Sequence, residues 1–83
     1  MTIIELIDQM SARLTEAGVS FGHGTTNAFD EAAWLVLWKL GLPLDDLDGV
    51  AQQPVTAAQA QAVADLIAER IHSRKPAAYL TRE

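Results

Sequence analysis

From Ala28 to Leu40 the chain offers only three polar side chains, Asp30, Glu31 and Lys39. Between them Trp34, Leu35, Val36, Leu37 and Trp38 put apolar surface on every side of a helical turn. A helix apolar nearly all round is either the central element of a bundle or one that keeps a second face for a partner. Its ends are well marked. Asn27 can cap the first turn, with Asp30 at the third helical position, and Asp30 and Glu31 both suit the positive end of the helix dipole. Gly41 and Pro43 end it, which predicts a helix over 28–40.

Such a helix needs neighbours, and the sequence supplies them. Thr2 and Glu5 form a capping box, followed at helical spacing by Ile3, Leu6, Ile7, Met10, Leu14 and Ala17. Gly18 is a natural stop, so the first helix is expected over about 3–17. Its other face carries Glu5, Asp8, Gln9, Arg13 and Glu16 for water. Val19 to Thr26 reads as a loop. Leu44, Leu47 and Val50 suggest a single helical turn, with Asp45 and Asp46 capping its start. After Pro54, Thr56 and Gln59 repeat the capping box. Ala60, Val63, Leu66, Ile67 and Ile71 form the stripe of a last helix over about 57–74. Arg70, Arg74 and Lys75 are read as cations at its negative end, and Pro76 closes it. No strand-period segment precedes Tyr79, and there is no internal repeat. The fold class is all-α: a small helical bundle of three long helices plus a short helical turn.

Eighty-three residues and 9.0 kDa allow one small domain. With no cysteine, disulfide scaffolds, thiolate zinc sites and cysteine nucleophiles are excluded. The start, Met1-Thr2-Ile3-Ile4-Glu5, has no basic region and meets an acid at once, unlike a signal peptide. No apolar run approaches the roughly 20 residues that span a bilayer. A soluble, cytoplasmic domain without a membrane partner is expected. The net charge of −5 is uneven. Residues 1–50 hold Glu5, Asp8, Glu16, Asp30, Glu31, Asp45, Asp46 and Asp48 against Arg13 and Lys39, a net of −6, and residues 51–83 net +1. An acidic front half repels phosphate, so direct nucleic-acid binding is disfavoured and a basic protein partner fits the sign.

Several features look like sites. Gly22-His23-Gly24-Thr25 before a helix resembles a phosphate cradle but lacks the lysine and spacing of a P-loop, and reads as a turn with a surface histidine. His72 is the only other histidine, too isolated in sequence for a metal site. Asp45, Asp46 and Asp48 before Gly49 fit no register of a calcium loop. Ser11, Ser20 and Ser73 lie in no nucleophile motif, so no catalytic, cofactor or metal residue is expected. Trp34 and Trp38 stand four apart on one face. Core packing accounts for at least one, and the other is open to a partner, where tryptophan is favoured. The candidate partner contacts are therefore Trp34, Trp38, Asp30, Glu31 and His23. An acyl carrier protein would need a serine at a helix start before leucine, and none of the three serines has that neighbour. A helix-turn-helix reader would need a basic helix, whereas 28–40 nets −1. A stand-alone adaptor or oligomerisation module stays open.

One resemblance narrows the choice. Phe21-Gly22-His23-Gly24-Thr25, then Asn27-Ala28, Asp30-Glu31-Ala32 and the run to Leu42-Pro43-Leu44-Asp45 resemble the N-terminal domain of the protein-glutamine N-methyltransferases, the HemK/PrmC/PrmB family. The likeness is greatest to the branch that modifies large-subunit ribosomal protein number three. Arg74-Lys75-Pro76-Ala77-Ala78-Tyr79-Leu80-Thr81 is similar to the stretch by which that family leaves its helical domain, although Arg82 stands where many relatives have glycine or asparagine. The resemblance implies that 1–75 is a helical N-terminal domain for recognising the protein substrate, and that 76–83 begins a linker to a catalytic domain. That domain would bind S-adenosylmethionine and hold the glutamine amide with an Asn-Pro-Pro-Tyr motif. Neither feature occurs here, so the implied cofactor belongs to the parent enzyme and not to this segment. The implied partners are a basic ribosomal protein and the chain's own catalytic domain.

Overall fold

The structure, a computed structural model, describes residues 1–18 and 27–73. Four helices follow in order: α1 (Ile3–Ala17), α2 (Ala28–Lys39), α3 (Leu47–Val50) and α4 (Ala57–Ser73). The described residues contain no strand beyond an isolated antiparallel bridge between Thr2 and Pro54. The architecture is the all-α bundle expected from the spacing. The Gly22–Thr25 loop, Arg74, Lys75 and the 76–83 segment lie outside the described residues.

The helix boundaries are set by caps. At α1 the Thr2 hydroxyl accepts from the Glu5 N–H at 3.3 Å, and the Glu5 carboxylate accepts from the Thr2 N–H at 2.9 Å. Two more N–H groups of that first turn, on Ile3 and Ile4, donate to the carbonyls of Gln53 and Ala51, each at 3.0 Å. The Val55 N–H returns a bond to the Met1 carbonyl at 2.8 Å. Helix starts leave such donors without intrahelical partners. Here the segment before α4 satisfies them, which ties the start of α4 to the start of α1. Thr56 and Gln59 close the second capping box at 3.1 and 2.9 Å. The Asn27 side chain accepts from the Asp30 N–H at 2.8 Å.

Helix α2 stops one residue earlier than its spacing suggests, in a Schellman arrangement. Leu42 N–H bonds to the Leu37 carbonyl at 2.9 Å and Gly41 N–H to that of Trp38 at 3.2 Å, with Gly41 at φ +71°. The turn at α3 corrects one expectation. Asp46 occupies the N-cap position but makes no capping hydrogen bond; its carboxylate lies over Gly49 instead. Leu44 stays 44% exposed, so of that apolar trio only Leu47 and Val50 reach the core.

The core is built around α2. Ala32, Leu35, Val36 and Leu37 are buried against Ile3, Leu6, Ile7, Met10 and Leu14 of α1 and Val63 and Ile67 of α4. Both long neighbours pack on α2 and on each other. Because α4 starts beside the start of α1, and Arg13 shares a groove with Asp65 to His72, these two helices run in the same direction. Arg70 near the end of α4 reaches Glu31 in the first turn of α2. The end of α1, the start of α2 and the end of α4 therefore gather at one end of the bundle.

Two outcomes follow from the caps. An added Cβ at Gly41 meets nothing within 4 Å, so Gly41→Ala isolates the backbone cost and should lower stability by about 1–2 kcal/mol in chemical denaturation. Gly49→Ala needs only the exposed Asp46 side chain to swing aside and should change stability by less than about 0.5 kcal/mol. The second outcome concerns acid. The Thr2 backbone N–H, then its hydroxyl, hold the Glu5 carboxyl below the usual glutamate range. A folded-state value below the unfolded one means that the stabilisation is present above the ordinary glutamate pKa and is lost as pH falls through the lowered value. An NMR titration should place the Glu5 midpoint below that of an unstructured glutamate, and Thr2→Ala, which removes the hydroxyl but keeps the backbone N–H, should return it only part of the way.

Candidate functional site

The structure describes four of the five candidate contacts, and they differ in exposure. Asp30 is exposed at the start of α2, its carboxylate 3.3 Å from the Asn27 amide nitrogen. Trp34 and Trp38 follow it at four-residue spacing and are both half-buried. Trp34 packs against the core, whereas Trp38 stands outside the set of half-buried side chains that do. The indole N–H of Trp34 is buried and has no hydrogen-bond partner among the described residues, a cost of about 1–3 kcal/mol that its packing must offset. His23 lies outside the described residues.

Glu31 is the correction. It is 2% exposed, and its carboxylate faces Arg70, itself 1% exposed. Arg70 Nε donates to Glu31 Oε2 at 2.9 Å and Nη2 to Oε1 at 3.4 Å, a two-pronged contact across 39 positions of sequence. Glu31 is thus an interior residue with no surface to give a partner. Arg70, read from sequence as a cation for the end of α4, is interior too. A carboxylate leaves water only where a partner and hydrogen bonds replace its hydration, and the planar guanidinium presents two donors in the matching geometry. The spacing held a signal for this. Glu31 is four residues before Leu35, and Arg70 is three after Ile67 and seven after Val63, so both fall on the buried stripe of their helix.

With that pair inside, the described surface is acidic. Glu5, Asp8, Glu16, Asp30, Asp45, Asp46, Asp48, Asp65 and Glu69 are exposed, against an exposed Lys39 and a half-buried Arg13. Between α1 and α4 runs an open groove of about 500 Å³, lined by Arg13, Asp65, Ala68, Glu69, Ile71 and His72. No set of three His, Cys, Asp or Glu among the described residues is arranged to hold a metal ion. No described helix is long and apolar enough to cross a membrane. What this arrangement offers chemically is an acidic surface on a closed apolar core.

Sequence comparison supplies the context. A family model described as the PrmC N-terminal domain matches residues 5–81. The chain belongs to this family. It is also similar to proteins named ribosomal protein uL3 glutamine methyltransferase. That of Burkholderia pseudomallei is 44% identical over 99% of the chain and 27% of the relative's length. The relative from Bordetella pertussis is 46% identical over 99% and 28%, and that from Bradyrhizobium diazoefficiens is 41% identical over 100% and 26%. The chain therefore spans about a quarter of the curated relatives it matches. No solved structure matches it.

The buried pair of this PrmC N-terminal domain can be tested by comparing loss of one partner with replacement of both. Glu31→Ala removes the carboxylate facing a buried guanidinium and should cost about 3–5 kcal/mol in urea denaturation. Joint replacement with Glu31→Leu and Arg70→Met should recover much of that loss, because two apolar side chains need no compensation.

Proposed function

We propose that this chain is the N-terminal, substrate-recognition domain of an S-adenosylmethionine-dependent methyltransferase that modifies a glutamine side-chain amide of ribosomal protein uL3. One observation carries the reading: relatives bearing that name match essentially the whole chain at 41–46% identity. S-Adenosylmethionine is the methyl donor, and the catalytic domain, beyond the segment that begins at residue 76, binds it. The domain works on protein in the cytoplasm and contacts neither membrane nor nucleic acid directly.

The surface supports a protein-binding role. Ribosomal proteins are basic because they neutralise RNA phosphate, and a field of exposed carboxylates attracts such a partner and speeds encounter. Asp30 adds its charge at the end of the bundle where α4 finishes. The half-buried Trp38 offers aromatic area of the kind that anchors interfaces. A carboxylate surface also repels nucleic acid, which favours recognition of the free ribosomal protein over recognition of RNA.

The test compares the full-length protein with a form lacking residues 1–73, using uL3 and isotopically labelled S-adenosylmethionine. The full-length protein should methylate a uL3 glutamine, read by peptide mass spectrometry. The shortened form should keep donor affinity and lose about tenfold or more in kcat/KM for uL3, about 1.4 kcal/mol. An unchanged kcat/KM would place recognition in the catalytic domain alone. Absence of methylation with self-association in ultracentrifugation would favour the adaptor reading.

A further inference from the structure

We infer that the open groove between α1 and α4 seats a lysine- or arginine-bearing segment of the protein substrate, a reading that rests on the methyltransferase function proposed above. The acidic wall belongs to α4. Asp65 and Glu69 stand one turn apart on its exposed side and both line the groove. Like charges at that spacing oppose each other and weaken the helix that carries them. Among the described residues nothing relieves the opposition: the Asp65 carboxylate accepts from the neutral Gln61 amide, at 2.9 Å, and neither acid has an ion pair with a described residue. A cation placed between them would turn this unfavourable pair into a favourable site.

The rest of the groove suits the same occupant. Ala68 and Ile71 give it an apolar part against which the methylene stem of a lysine or arginine can lie while its head stays hydrated. On the opposite wall Arg13 makes no ion pair with either carboxylate, and its Nη1 rests 3.9 Å from the Met10 sulfur. Its remaining donors face carbonyl oxygens of a seated main chain rather than the cationic side chain. His72 lines the α4 side a turn beyond Glu69.

Position distinguishes this groove from the acids elsewhere. It lies along the C-terminal half of α4, at the end of the bundle where that helix finishes. Asp45 and Asp46 follow the end of α2, at the opposite end of the bundle from Glu31 and Arg70.

The experiment measures steady-state methylation of uL3 by the full-length protein carrying Asp65→Asn and Glu69→Gln together. Both changes keep side-chain shape and remove the like-charge opposition, so thermal unfolding should show a fold at least as stable. Loss of two exposed charge contacts should raise KM for uL3 about three- to tenfold, with kcat changed less than KM, and flatten its dependence on salt. Asp45→Asn with Asp46→Asn removes the same charge from the general field alone and should raise KM by less than about twofold. An unaltered KM in the groove variant, or an equal rise in the Asp45/Asp46 variant, overturns the groove assignment while wild-type methylation leaves the function standing. A wild-type protein that does not methylate uL3 overturns both.

Discussion

The contact between Glu31 and Arg70 sets the terms for the rest of the bundle. Two full charges lie among buried residues that are otherwise apolar, and they are tolerated because each helps to replace the other's lost hydration. Apolar side chains alone allow several sliding arrangements of one helix on another, since the hydrophobic term has no direction. A two-pronged guanidinium–carboxylate contact does have direction and admits one register. It fixes the last turns of α4 against the first turn of α2. At the other end, the backbone bonds of Ile3, Ile4 and Val55 fix the approach to α4 against the start of α1. Helix α4 is thus held at both ends by polar contacts and along its middle by Val63 and Ile67.

This division of labour answers a problem of size. A domain of this length buries a modest share of its surface, and a helix as apolar as α2 consumes much of what its neighbours can cover. The four-residue Leu47–Val50 helix and the half-buried Leu42, Leu47 and Val55 complete the cover. Trp34 shows the limit of that economy. Its ring packs on the core while its N–H is left without a partner among the described residues, so large apolar area has been taken at the expense of one polar group.

The elements that could be read from sequence are those whose signals are local. Thr2 with Glu5, Asn27 with Asp30 and Thr56 with Gln59 each lie within one turn, and the structure forms all three caps. The stripe from Ile3 to Leu14 was legible for the same reason. Glu31 and Arg70 were misjudged because each has a sufficient local explanation, a charge at the helix end that suits it, and only their joint place on buried stripes reveals the pair. Asp46 failed in the other direction: residue type favours a cap, but its side chain folds over Gly49. The pairing of Met1 to Ile4 with Ala51 to Val55 had no signature at all, because main-chain bonds between distant segments carry no residue preference.

The position of the charges bears on recognition. Burying one acid with one base leaves the net charge of the described surface unaltered, but it removes Arg70, which would otherwise be a permanent cation one residue after Glu69. Among the described residues of α4, the carboxylates of Asp65 and Glu69 are thereby left without a neutralising neighbour. Within about 8–10 Å, the reach of unscreened attraction in physiological salt, a surface charge acts on whatever is seated beside it. The interior pair that holds α4 in register therefore also shapes its outward field. A single arginine turned inward gives this domain both a fixed core and an acidic outer side of α4.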